Sequence, residues 1–208
     1  MTVEEYEIPG EGKTETEDQV VKKGSRVCGI AESFKKGVYP KSILAGVVQR
    51  LDGRIDGVNY ATAEVGGIDA TSAIKQLIKR LGRPDIQFFL LNGTVISYYN
   101  VIDLHELYAT TNTPFIALTY EPSQGIEEYL LEMEKGKHRL KIHRKNGPRV
   151  KIILDSGIEL FIRPVGLTKE MAKRVLSHLM THGKRPEPIR IAKLLAKAVF
   201  ELVSQDVT

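Results

Sequence analysis

Residues 42–51 and 55–65 are two strand-like runs joined by Asp52-Gly53, and a glycine pair, a helix-periodic stretch and a further apolar run follow them. This order constrains the fold strongly. Asp-Gly between strand-like runs marks a tight hairpin, and a strand–helix–strand unit must cross over right-handed to lie parallel. Gly66-Gly67 ends the hairpin. Ala70, Ala73, Ile74, Leu77, Ile78 and Leu81 recur at helical spacing, which predicts a helix over 70–81 with Asp69 as its N-cap.

The pattern extends in both directions. An apolar strand over 26–31 precedes the hairpin, and a buried strand over 86–91 follows Gly82 and Pro84. A loop over 92–100, a short helix over 102–109, a strand over 115–118 and a helix over 125–135 come next. The order β-β-β-α-β-α-β is that of an α/β protein with a ribonuclease H-like mixed sheet flanked by helices. Beyond it, 140–143, 150–154 and 159–163 read as strands of a β-ribbon spanning 137–165, with turns at Asn146-Gly147 and Ser156-Gly157. Two C-terminal helices, over 169–182 and 188–203 within 168–204, flank the rigid Arg185-Pro186-Glu187-Pro188.

Charge divides the chain in two. Residues 1–22 hold seven acids against two lysines, a net of −5, so the rest carries +9 of the chain's overall +4. An acidic flexible N-terminal tail (1–22) attached to one basic domain (23–208) is therefore expected, and the basic body suits a phosphate-bearing partner or a well-solvated surface. The 208 residues bury a sizeable core without disulfides, and the single Cys28 lies in an apolar run, which points to the reducing cytoplasm. The N-terminus lacks a signal-peptide pattern, and no run approaches a membrane-spanning length. There is no P-loop, Rossmann glycine fingerprint or Ser nucleophile elbow.

Four motifs occur in register: Arg26-Val-Cys-Gly-Ile-Ala-Glu-Ser33; Gly67-Ile-Asp-Ala-Thr71; Leu90-Leu-Asn-Gly-Thr94 with Tyr99-Asn-Val-Ile-Asp103; and Arg185-Pro-Glu-Pro-Ile-Arg-Ile-Ala192. Over residues 25–202 they resemble the archaeal domain-of-unknown-function family 99, endonuclease dU, distantly related to endonuclease V. The resemblance implies an endonuclease V-like protein whose partner is nucleic acid, DNA with deaminated bases if active. Three places depart from the family's pattern. The first strand ends Gly29-Ile30-Ala31-Glu32 where Gly-Ile-Asp-Asp is usual, and the fourth ends Leu91-Asn92-Gly93 in place of Leu-Asp-Gly. The strand before the third helix ends Thr119-Tyr120-Glu121 rather than in a basic residue. Asp69, Glu187 and Arg190 keep the pattern.

Two-metal phosphodiester hydrolysis needs several carboxylates around ions about 3.5–4 Å apart. The candidate catalytic residues are Glu32, Asp69 and Asn92, with Asp69 and Glu32 as ligands of Mg²⁺ or Mn²⁺; Ala31 and Asn92 stand where the family has acids. Strand alternation turns Glu32 away from position 31 unless the strand has already ended. A catalytically degenerate nucleic-acid binder is therefore expected; an active Mg-dependent endonuclease and a protein-interaction scaffold are the alternatives. Tyr98 and Tyr99 suit base stacking, or core packing. The run 137–151 holds seven Lys/Arg and no acid. As a hairpin it would align Arg139, Lys141, His143 and Lys145, with Arg144 beside them, along a phosphate backbone or as a solvated edge. His178 and His182 stand four apart without a metalloprotease glutamate, and Asp103 reads as a first-turn acid.

Overall fold

Residues along β1 (Arg26–Ser33) alternate between two apolar layers, Cys28 and Ile30 on one side and Val27 and Ala31 on the other. A strand so buried needs neighbours on both edges. It pairs antiparallel with β2 (Lys41–Arg50) and parallel with β4 (Ile86–Asn92). β3 (Ile55–Glu64) closes the hairpin with β2, as the Asp52-Gly53 turn predicts. The structure, a computed structural model, describes residues 22, 24–122, 125–181 and 183–205. The acidic segment, apart from Lys22, lies outside the described residues, as does His182.

After α1 (Ala70–Leu81) and β4 comes a small antiparallel pair, β5 (Val95–Ile96) and β6 (Asn100–Val101). Then follow α2 (Leu104–Thr111), β7 (Phe115–Thr119), α3 (Glu127–Glu132) and α4 (Gly136–Lys145). The chain continues through β8 (Val150–Ile153), β9 (Glu159–Val165), α5 (Lys169–Leu179) and α6 (Glu187–Gln205). The main sheet runs β3-β2-β1-β4-β7-β9-β8. One layer packs α1 and α2 against it through Ile74, Leu77 and Leu104, and the other packs α5 and α6 through Val175, Leu176 and Ile189. Gly29 lets α6 come close to β1, since a Cβ there would stand 2.6 Å from the Ile189 nitrogen. No helix among the described residues is long and apolar enough to cross a membrane.

The β-ribbon over 137–165 is corrected. Residues 136–145 form α4, and only β8 and β9 make a hairpin, which joins the main sheet beside β7. The charge alternation in Lys-His-Arg-Leu-Lys-Ile-His-Arg-Lys mimics a strand. What is buried, however, is Gly136, Arg139 and Leu140, an i, i+3, i+4 face. Tertiary contacts override the local pattern here. Asn146, at the end of α4, accepts from the Leu104 N–H at 2.9 Å and donates to the Ile102 carbonyl at 2.7 Å, so it tethers α2 to α4.

Candidate nucleic-acid interface

The parallel register sets Ile30 opposite Leu91, which brings Ala31 beside Asn92 at the carboxyl ends of β1 and β4. β1 continues to Ser33, so the alternation holds: Ala31 packs in the α5/α6 layer and Glu32 lies on the α1/α2 side. A cavity of about 10 Å³, close to the room one water needs, is lined by Ala31, Glu32, Asn92, Gly93 and Ile96.

Glu32 has a different employment. Its carboxylate accepts from the Ser97 N–H at 2.9 Å to each oxygen and from the Ser97 hydroxyl at 2.6 Å. Burial raises the Glu32 pKa, while the Ser97 donors and the Lys193 charge pull it back. The Ser97 and Ser42 hydroxyls bond each other, and the Gly66 N–H donates to the Ser97 carbonyl at 2.7 Å. These bonds hold an unusual turn: Ser97, Tyr98 and Tyr99 have φ of 46°, 60° and 66°. Non-glycine residues in the left-handed region cost about 1–3 kcal/mol each, so the turn persists only because its surroundings enforce it.

Asp69 stands at the N-cap position of α1, but its side chain makes no capping bond, which corrects the expectation. Both its oxygens accept from the Glu64 N–H at 3.1 Å, and Asn100 donates to Oδ1 at 2.7 Å. The fully buried Asn100 supplies the cap, accepting from the Ala70 N–H at 3.0 Å. Arg139 completes the clamp. It is 2% exposed and donates to the carbonyls of Glu134, Gly66, Gly67 and Tyr99 at 2.6–2.8 Å. Its alignment with Lys141 and Lys145 on an outward face is thereby corrected. Arg144 pairs with Glu127 at 2.5 Å and Lys145 with Asp103 at 2.7 Å, while Lys141 is exposed. Asp103 also caps α2, accepting from the Glu106 N–H at 2.9 Å.

Tyr98 and Tyr99, both half-buried, pack edge to face at 5.1 Å, and Tyr99 stacks on Tyr129 at 6.2 Å. The Lys36 ammonium lies 3.8 Å above the Tyr98 ring. Tyr98 lines an open groove of about 650 Å³ with Lys36, Tyr39, Glu64, Gly66 and Met133. The structure thus gathers Glu32, Asp69, Arg139, Tyr98 and Tyr99 around one turn, and leaves Asn92 at the neighbouring strand ends. At the start of α6, Glu187 bonds Arg190 at 2.5 Å. His178 Nδ1 contacts the Arg174 carbonyl at 2.9 Å.

Two arginines were not singled out by the sequence. Arg163 on β9 donates to the Gly147 carbonyl at 2.7 Å and the Thr94 hydroxyl at 3.2 Å. Arg149 donates to the Thr119 hydroxyl at 3.0 Å and the Glu121 carbonyl at 3.1 Å, with its guanidinium 5.2 Å from the Phe161 ring centre. Burial, then the Arg149 charge, lowers the Arg163 pKa to about 10. The signal for Arg149 was its place in the basic run 137–151, and that for Arg163 an arginine between Ile162 and Pro164-Val165.

The central β3-β2-β1-β4-β7 order, its parallel β1-β4-β7 core and the closing helix across β1 define a ribonuclease H-like fold. Residues 23–200 match the family described as Endonuclease dU, and the chain belongs to it. It is similar to a UPF0215 protein of Pyrobaculum calidifontis, 38% identical over 180 residues that cover 85% of this chain and 97% of that one. A UPF0215 protein of Methanopyrus kandleri is 29% identical over 184 residues, covering 86% and 93%. Among solved structures, a protein of unknown function from Archaeoglobus fulgidus matches with TM-score 0.74 and 26% identity over 84% of this chain and 98% of that one. Endonuclease V of Ciona intestinalis, in complex with a 24mer DNA containing an inosine followed by a ribo-adenosine, shares the fold at TM-score 0.60 and 16% identity, covering 90% and 94%.

The endonuclease V resemblance implies a pair of Mg²⁺ or Mn²⁺ ions, which the residues present would have to hold. The β1/β4 rim offers one neutral amide oxygen, from Asn92. Glu32 faces the other layer with three donor contacts on its carboxylate, and Asp69 accepts from Glu64 and Asn100. Among the described residues no three His, Cys, Asp or Glu side chains gather as a metal site. This donor set does not fit two hard divalent ions.

Proposed function

We propose that this protein is a nucleic-acid-binding member of the Endonuclease dU family that does not carry out two-metal hydrolysis. One observation carries the reading. Ala31 and Asn92, where the family resemblance implies acids, lie side by side, while the Glu32 carboxylate holds the 97–99 turn and the Asp69 carboxylate holds Glu64 and Asn100. The Ciona endonuclease V with its inosine-containing DNA supports a nucleic-acid partner. The Tyr98 groove suits an unstacked base, since every base offers a face to an aromatic ring; a deaminated base in DNA is the proposed occupant.

The test is one experiment with two readouts. Purified full-length protein is incubated with Mg²⁺ or Mn²⁺ and single-stranded or duplex DNA carrying deoxyuridine or deoxyinosine, and both binding anisotropy and product are followed. Salt-sensitive binding without cleavage is expected, with Tyr98→Ala weakening binding by about 1–3 kcal/mol. Cleavage abolished by Asp69→Ala overturns the degenerate reading in favour of an active endonuclease. Absence of both binding and cleavage favours a protein-interaction scaffold.

A further inference from the structure

Nearly every other half-buried arginine in this chain meets a carboxylate: Arg26 meets Asp56 at 2.7 Å, Arg83 meets Asp85 at 3.0 Å and Arg50 meets Asp52 at 2.9 Å. Arg149 and Arg163 do not. Among the described residues neither forms an ion pair, although both are half-buried and close enough for the Arg149 charge to disfavour the Arg163 cation. Arg139, the other unpaired buried arginine, commits four of its N–H groups to four carbonyls. A guanidinium has five N–H donors. Arg163 commits Nε and one Nη1 hydrogen, and Arg149 commits Nη1 alone, so each keeps donors for another partner.

The surroundings are equally one-sided. The Thr94 and Thr119 hydroxyls each accept from an arginine, which leaves their own O–H free to donate. His143 of α4, near both arginines, has a buried Nδ1 with no hydrogen-bond partner, and burial and the Arg163 charge lower its pKa. The carboxylate that acts on His143 is Glu127, already held by Arg144. Two like charges partly withdrawn from water without a counter-charge are costly, and an anion removes that cost. Forked arginines match phosphate oxygens in bidentate geometry. Thr94 follows Asn92-Gly93 and Thr119 ends β7, so the pair lies at the strand ends already described.

We infer that Arg149 and Arg163, with the Thr94 and Thr119 hydroxyls, form a binding site for a phosphate group of a polynucleotide strand. The inference rests on the nucleic-acid reading above and names the group that anchors the strand. The phosphate is an internal diester or a strand terminus, and the experiment separates the two.

Binding of a short oligothymidylate, with 5′-hydroxyl or 5′-phosphate, is measured by anisotropy across a salt series for wild type, Arg149→Gln, Arg163→Gln and the exposed control Lys79→Gln. Circular dichroism verifies the fold of each variant. Arg149→Gln is expected to weaken binding about ten-fold and to make the log K–log salt slope shallower by about 0.7, whereas Lys79→Gln changes neither. Equal losses for both oligonucleotides identify an internal diester; a loss confined to the 5′-phosphate form identifies a terminus. A folded Arg149→Gln with unchanged affinity and slope overturns the proposal. Should wild type bind no oligonucleotide, the nucleic-acid reading fails and inorganic phosphate decides the site by itself. Stabilisation of wild type but not of Arg149→Gln, against chloride of equal ionic strength, upholds an anion site, and equal effects on both overturn it.

Discussion

Glu32 and Asp69 on one side, and Arg149 and Arg163 on the other, share the carboxyl end of the same sheet and are treated in opposite ways. The carboxylates are consumed. Glu32 takes three hydrogen bonds from Ser97, and Asp69 is held by Glu64 and Asn100. The guanidiniums hold only neutral carbonyls and hydroxyls and keep donors in reserve. A site for cations needs free negative oxygens; a site for anions needs free N–H groups. This end of the sheet offers the second kind, so the two regions together argue for holding a phosphate rather than hydrolysing one.

The sharpest way to break the comparison is to remove the clamp. Arg139→Met leaves four carbonyls without their donor inside the protein, at an expected cost of about 3–5 kcal/mol in urea denaturation. A loss below about 1 kcal/mol would mean that the 97–99 turn holds itself. A smaller effect is expected from reversing the rim. Ala31→Asp with Asn92→Asp restores two carboxylates side by side, and Mn²⁺ near a hundred times its Kd should then stabilise the variant by about 2.7 kcal/mol and leave wild type unmoved. An unmoved double variant means that the rim does not form a cation site even with its acids restored.

The smallest effect is a slope. Glu32 titrates above the ordinary glutamate value of 4.5 in the folded chain because it is buried. The folded state therefore binds the proton more tightly. The associated stability is full below the unfolded pKa and is lost as pH rises through the folded one. Wild type should accordingly lose stability relative to Glu32→Gln as pH climbs from about 4.5, read from urea midpoints across a pH series. A difference that stays flat with pH would show that the carboxyl is not buried in solution.

Much of the fold was legible, and for local reasons. The Asp52-Gly53 turn, the helical spacing from Ala70 to Leu81 and the apolar run before Asn92 all became the expected elements. The segment 136–145 looks strand-like because its charges alternate at period two, while the helix is decided by where Arg139 and Leu140 are buried. Asp69 looks like a cap because a cap is local. The cap came instead from Asn100, thirty residues away along the chain.

By itself the sequence determined the order of the main-sheet strands and their crossover helices up to β7, the family and the absence of acids at positions 31 and 92, since periodicity, turn chemistry and residue identity are written along the chain. Only the tertiary structure decided what the remaining charges do. Glu32 finds Ser97 across 65 residues, Arg139 finds Gly66 across 73, and Arg163 finds Thr94 across 69. A carboxylate or guanidinium has no role until its partners are known. Here the partners occupy the Glu32 and Asp69 carboxylates and leave donors of the two strand-end arginines open.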